Sequence, residues 1–281
     1  ANFAIQNADL VITIGTRLDT KATGSPAKSF APLADLIMVD IDKAELDKME
    51  KIGRPCKTVH SDAVSFMKNL YIGGDHQWWR EKVESWKAKY PAILPEYGPE
   101  SPYRIMEELA KYLDPNDVVV SDTGCPLAWA MQTIPFKGRF IHAFNQTPMG
   151  YGLGAAIGAA GAHKGRVVLL TGDGGLSECI TELATIAKHK LNIKIILFNN
   201  RGHAMCRQTQ KQWLGGVYHG TSDKDLATPD FKAIAKAYGI EDFTEYLIDP
   251  EQGVVPQARF GFPLEDQEPS LSREELSGIM A

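Results

Sequence analysis

Cysteine is scarce in the 281-residue chain: Cys56, Cys125, Cys179 and Cys206 stand far apart, with no CxxC pair and no Cys/His cluster. That pattern excludes a disulfide framework and a structural zinc site, and makes a reducing cytoplasm the expected compartment. Long apolar runs are missing too. Val167-Val168-Leu169-Leu170 and residues 193–198 fall well short of the roughly 20 residues a membrane span needs. No surplus of positive charge exists either, since the net charge is −5 and no run is rich in Lys or Arg. Nucleic acid and membrane are therefore not expected as partners, which leaves small molecules. The opening Ala1-Asn2-Phe3-Ala4-Ile5-Gln6-Asn7 lacks a basic-then-apolar leader and is expected to enter in mid-domain.

What is present is a repeated alternation. Asp9-Leu10-Val11-Ile12-Thr13-Ile14-Gly15 and Leu36-Ile37-Met38-Val39-Asp40-Ile41-Asp42 are apolar, β-branched runs that read as buried parallel strands. Helix-like stretches at 43–51 and 62–70 complete an α/β unit over residues 1–72, a partial central domain. Residues 73–100 hold an amphipathic helix over 77–90 with Trp78, Trp79 and Trp86, then Pro91, Pro95 and Pro99, and are expected to form a linker. Its tryptophans are expected to seal it against a neighbour. Residues 101–281 form the second domain with a C-terminal tail. Strands at 118–122, 139–143, 166–170 and 193–198, separated by helix-length segments, predict a doubly wound parallel sheet with its ligands beyond the carboxyl strand ends.

The chemistry concentrates at two of those ends. Gly172-Asp173-Gly174-Gly175 follows one strand, a helix is expected from Ser177 to Lys190, and Asn199-Asn200-Arg201-Gly202 closes the next strand. Adjacent parallel strands bring Asp173 and Asn200 to one sheet edge, where a carboxylate, an amide oxygen and a backbone carbonyl suit a hard divalent cation such as Mg2+. The glycines let backbone N–H groups approach phosphate oxygens, so metal and loop together fit a diphosphate. A rival reading exists: Gly152, Gly154 and Gly158 imitate a nicotinamide-binding turn with Asp173 about 20 residues on. It leaves the paired asparagines without a role.

Gly172-Asp173-Gly174 with Asn199-Asn200 resembles the cofactor motif of the thiamine-diphosphate (ThDP) enzymes. The likeness narrows to the acetolactate synthase-like branch at Thr147-Pro148-Met149-Gly150-Tyr151-Gly152, Met205-Cys206-Arg207-Gln208 and Pro229-Asp230-Phe231. The resemblance implies ThDP and Mg2+ as cofactors, with Asp173, the Asn200 side chain and the Gly202 carbonyl on the metal. It puts Met149, as a wedge under the bent cofactor, with Met205 and His203 in the catalytic centre. Thr123, Gly124, Cys125, Thr147, Gly172, Gly174, Gly175 and Ala204 complete the cofactor pocket.

Ile14-Gly15-Thr16-Arg17-Leu18-Asp19 and Val39-Asp40-Ile41-Asp42 resemble segments that hold FAD in the family, which makes FAD a further candidate, on Gly15, Arg17, Asp40, Ile41 and Asp62. A vestigial pocket, or one for ADP, is the alternative, and Asp40 and Asp42 could simply cap the next helix. The activity implied is decarboxylation of a 2-keto acid with carboligation to a second carbonyl, in a homodimer or homotetramer.

Departures from the family accompany the likeness. Thr123-Gly124-Cys125-Pro126 stands where Gln and His usually meet the diphosphate, and Thr209 where a Trp shapes the acceptor pocket, leaving room for a different acceptor. Between residues 240 and 247 only six positions replace a helix and a strand. The amino-terminal pyrimidine-binding domain, with the glutamate that drives cofactor deprotonation, is expected to be missing, so the fragment alone is expected to be inactive.

Overall fold

A parallel strand is covered by helices on both faces, so it is apolar at nearly every position. In the computed structural model, which describes residues 1–51, 53, 55–222 and 224–280, the apolar runs form two parallel sheets, of which the five-stranded one is buried at nearly every position of its central strands. The chain divides into two units, Ala1–Pro91 with Val255–Ala281, and Ala92–Val254.

The first unit opens with α1 (Asn2–Asn7), β1 (Leu10–Ile14), α2 (Thr20–Thr23), β2 (Asp35–Asp40), α3 (Lys43–Lys51), β3 (Lys57–His60), α4 (Ala63–Asn69) and α5 (Gln77–Lys89). Its sheet is parallel throughout in the order β1-β2-β3. The carboxylates of Asp42 and Asp62 accept the N–H groups of Ala44 and Ser65 at 2.8 and 3.0 Å, satisfying free donors where α3 and α4 begin.

The second unit holds α6 (Pro102–Tyr112), β4 (Val118–Ser121), α7 (Cys125–Thr133), β5 (Arg139–Ile141), α8 (Tyr151–Ala162), β6 (Val167–Gly172), α9 (Asp173–Glu178) and α10 (Leu183–His189). It continues with β7 (Ile193–Asn199), α11 (Ala204–Trp213), α12 (Phe231–Ala237) and β8 (Phe243–Leu247). The strand order β5-β4-β6-β7-β8 is parallel throughout. From β4 the sheet grows to one side with β5 and to the other with β6, which marks the carboxyl ends of β4 and β6 as the topological switch point where such sheets take ligands. Alternate residues of the central strands enter two cores. Val168, Leu170, Ile196 and Phe198 meet α6 and α7 at Tyr103, Met106 and Trp129. Val167, Leu169, Ile195 and Leu197 meet Leu153, Ile186 and Phe231 on the other face.

Two expectations need correction. The segment 241–246 does contain a strand: β8 pairs with β7 from Ile195↔Phe243 to Asn199↔Leu247. The crossover is nonetheless short, and α6, β7 and β8 leave an open groove of about 370 Å³ beside Tyr112 and Tyr246. The helix expected from Ser177 starts at Asp173 and breaks at Cys179, before a 3-10 turn at Ile180–Glu182.

The linker and tail also fall differently. α5 belongs to the first unit, where Trp86 is buried and meets Phe3 edge-on at 6.1 Å. Residues 255–281, expected in the second domain, carry β9 (Gln257–Ala258), β10 (Gln267–Glu268) and α13 (Arg273–Ile279) and belong to the first unit. There Leu264 packs with Leu18, Phe30 and Leu36, and Lys89 pairs with Glu275 at 2.8 Å. Such burial joins residues more than 200 positions apart and leaves no local signature. Among the described residues no helix is long and apolar enough to cross a membrane.

Candidate functional site

Asp173 leaves β6 one residue past Gly172, the partner of Phe198 in β7, and Asn200 follows the end of β7. Both side chains are buried. The Asp173 carboxylate accepts the Gly174 N–H at 2.8 Å through Oδ1 and the Gly202 N–H at 2.9 Å through Oδ2. Those two amides are therefore engaged already, a correction to the idea that the glycine turn leaves its N–H groups free. Burial pushes the Asp173 carboxyl above its usual range, against the pull of these two N–H groups and of His203.

The paired asparagines divide their work. Asn199 is structural: its Nδ2 donates to Glu245 on β8 at 2.7 Å and its Oδ1 accepts the Arg201 N–H at 2.9 Å. Asn200 Oδ1, at 5% residue exposure, accepts nothing. A buried acceptor without a donor costs about 1–3 kcal/mol, and a cation is the partner an amide oxygen and a carboxylate have in common. Among the described residues no three His, Cys, Asp or Glu side chains cluster for a metal. A buried carboxylate and an orphaned amide oxygen are the kind of oxygen donors Mg2+ accepts.

Close contacts explain the glycines. A β-carbon on Gly174 would lie 2.8 Å from the His203 ring and 3.2 Å from Met149 Sδ, one on Gly175 2.5 Å from Asp122 Oδ2, and one on Gly202 2.5 Å from the Thr221 carbonyl. So Met149 and His203 converge over Gly174, and Met149 remains 42% exposed. The loops carrying these groups are strained, with Thr147 at φ +47° and Arg201 at φ +55°, a conformation that persists only where surroundings enforce it. Ala204 is buried at the start of α11, and Met205 packs against the α6/α7 core. Gln208 pins α11 to Val254 through both backbone groups, at 2.7 and 2.9 Å.

At the end of β4, Gly124 takes φ +92° and leads into α7, and Cys125 is buried, its thiol pushed up to about 12 by burial. A protonated thiol can donate only weakly. Sequence reasoning missed Asp122, which is 1% exposed and faces both glycine segments. The available signal was an acid directly after an apolar strand and two residues before a glycine.

In the first unit, Gly15 at φ +63° ends β1 and its N–H meets the Val39 carbonyl at 2.9 Å. Ile41 is exposed past the end of β2. Asp40 Oδ1 accepts the Asp42 N–H at 2.8 Å, Arg17 lies 3.5 Å from Glu45, and Asp62 is occupied as the α4 cap. The capping reading thus holds for Asp42 and Asp62, while Asp40 keeps a second oxygen at the strand end.

A buried carboxylate and an unsatisfied amide oxygen thus stand at adjacent strand ends beside the switch point, where a parallel α/β sheet takes its ligands. Family comparison agrees. Residues 122–259 match the model of the thiamine pyrophosphate enzyme C-terminal TPP binding domain, and residues 1–70 match that of the thiamine pyrophosphate enzyme central domain. The chain belongs to the thiamine pyrophosphate enzymes. It is similar to the acetolactate synthase large subunit of Pyropia yezoensis, 34% identical over 253 residues, covering 87% of this chain and 42% of the relative. It is likewise similar to the acetolactate synthase isozyme 1 large subunit of Escherichia coli K12, 32% identical over 245 residues, covering 85% of this chain and 43% of the relative. The chain spans about two fifths of the length of these curated relatives.

Proposed function

We propose that this chain is the diphosphate- and metal-holding part of an acetolactate synthase-like carboligase that uses ThDP and Mg2+. The observation that carries the reading is Asn200 Oδ1, buried without a donor beside the carboxylate strand end of β6. Asp173, Asn200 and the Gly202 carbonyl would hold the cation, and the cation the diphosphate. Bound there, ThDP supplies the nucleophilic carbon and electron sink that let a 2-keto acid such as pyruvate lose CO2 and its acyl carbon join a second carbonyl. The chain's own contribution is placement. Met149 would support the bent cofactor, and Met205 and Leu176 would exclude water so that carbon–carbon joining outruns release of an aldehyde. Thr123, Gly124, Cys125, Thr147, Gly174, His203 and Ala204 would line the cofactor pocket.

The central-domain match supports a second proposal, FAD at the strand ends of Gly15, Arg17, Asp40 and Ile41, which a yellow colour and flavin absorbance on purification would reveal. Placement of the whole enzyme in the cytoplasm, as a homodimer or homotetramer, is part of the same reading. So is a need for residues outside this two-fifths span for turnover.

Calorimetric titration of the 281-residue chain with ThDP tests the main reading. Binding should require Mg2+ and vanish in Asn200→Leu; binding that ignores Mg2+, or none at all, overturns it. Sustained CO2 release from pyruvate by these residues alone would contradict the need for the remaining length. Accumulation of aldehyde by the full-length enzyme, in place of a joined product, would make it a simple decarboxylase.

A further inference from the structure

Asp122 lies at the topological switch point and is used by none of the roles described above, although a carboxylate this deeply buried needs donors to persist. Its donors come from two segments of the site. Its own loop supplies the Thr123 N–H at 2.8 Å, and β6 supplies the Thr171 hydroxyl at 3.4 Å. Asp122 also abuts the turn into α8, at Gly152. The fit is tight. A β-carbon on Gly152 would come within 2.9 Å of the Asp122 backbone nitrogen, and one on Gly175 within 2.5 Å of its Oδ2.

A second group holds the same turn from its other side. The Cys179 thiol, where α9 breaks, donates to the carbonyls of Gly150 at 3.4 Å and Gly175 at 3.3 Å. Gly150 is thus held through its C=O by Cys179, in a left-handed conformation at φ +83°, while Asp122 abuts Gly152 two residues on. The residue before it is Met149.

Resting on the proposed cofactor reading, we propose that Asp122 and Cys179 are positioning residues, a two-point clasp that fixes the Gly150 turn against the Asp173 turn and so sets where Met149 meets the cofactor ring. Neither side chain is among the groups proposed to hold the cation or the diphosphate. The clasp therefore separates two affinities: that for ThDP, which includes the ring, and that for inorganic pyrophosphate with Mg2+, which does not.

The test compares Asp122→Asn, Cys179→Val and Cys179→Ser in the 281-residue chain, by calorimetry with each probe and by amide exchange of residues 147–153. The expected result for Asp122→Asn is about 10-fold weaker ThDP binding with Mg–pyrophosphate binding unchanged, and faster exchange confined to 147–153. Cys179→Val should lose about 3-fold for ThDP, and Cys179→Ser, which keeps a donor, should recover most of it. Equal loss for both probes, or unchanged ThDP binding and unchanged exchange, overturns the clasp. A parent chain that binds neither probe overturns the cofactor reading instead, and local exchange in Asp122→Asn still decides whether the clasp exists. A variant that fails to fold is replaced by Cys179→Val, whose outcome decides in the same way.

Discussion

Gly15 and Gly202 both follow a parallel strand, yet they are glycine for different reasons. At Gly15 the backbone takes φ +63° and a β-carbon would meet nothing within 4 Å, so only the local conformation asks for glycine. At Gly202 the φ is not left-handed, but the Thr221 carbonyl fills the place of a side chain. The first unit carries an open turn, and the second a turn closed around two buried polar side chains, one of them without a donor. Loop geometry alone does not distinguish a ligand site from a strand end. Crowding plus an unsatisfied acceptor does.

That contrast can be broken most forcefully at Gly202. Gly202→Ala should lower stability by about 3 kcal/mol, because the clash is with backbone that cannot rotate away, and it should abolish Mg-dependent ThDP binding. Denaturant melts read the first effect and calorimetry the second; a change no larger than at Gly15 would erase the distinction. Elsewhere in the second unit, Arg166 holds buried Asp117 with two hydrogen bonds, at 3.0 and 2.5 Å. Burial alone would raise the Asp117 carboxyl, but Arg166 and the Asp114 N–H hold it below its usual range. Arg166→Ala should cost about 2 kcal/mol at pH 7, discounted for the partial exposure of Arg166. Because that pKa is depressed, the stabilisation is present above the ordinary Asp value and is lost as pH falls through the lower folded value. A melting difference that persisted unchanged below pH 3 would contradict the pairing.

Gly15→Ala should cost only about 1 kcal/mol, the strain of a left-handed alanine, with ThDP binding unaffected. Asn200→Leu should move stability the other way. Removing a buried acceptor that lacks a donor should raise it by about 1 kcal/mol while Mg-dependent binding is lost, and a fall in melting temperature would show that Asn200 serves the fold. The smallest effect concerns pH. The Asp173 carboxyl is raised by burial, so without Mg2+ its ionised form destabilises the fold at neutral pH, and that penalty fades as pH falls through the raised value. Asp173→Asn should therefore exceed the parent in stability most at pH 7 and least near pH 4, a gap that saturating Mg2+ reverses.

Much of this site could be read along the chain because its signals are local. Strands β4, β6 and β7 are nearly continuous apolar runs buried on both faces, and an Asp and an Asn just past adjacent strand ends must share a sheet edge. The Asn pair could be located but not divided, since only the position of Glu245 on β8 occupies Asn199 and leaves Asn200 without a partner. Asp122 is not legible in the sequence because its neighbours Gly152, Thr171 and Gly175 lie 30 to 53 positions away. Strand β8 is not legible because only six positions stand where the family has a helix and a strand, yet the five residues Phe243–Leu247 suffice for the strand.

The amino-acid sequence by itself determined the alternating α/β build, the strand-end Asp and Asn, and the glycines that let backbone come close, because each follows from residue type and short spacing. Tertiary structure alone decided which amides were already engaged, that the tail 255–281 completes the first unit through Leu264, and that a hidden carboxylate gathers the site's loops. Those outcomes depend on desolvation and on donors brought from distant positions, and both quantities exist only once the chain has packed.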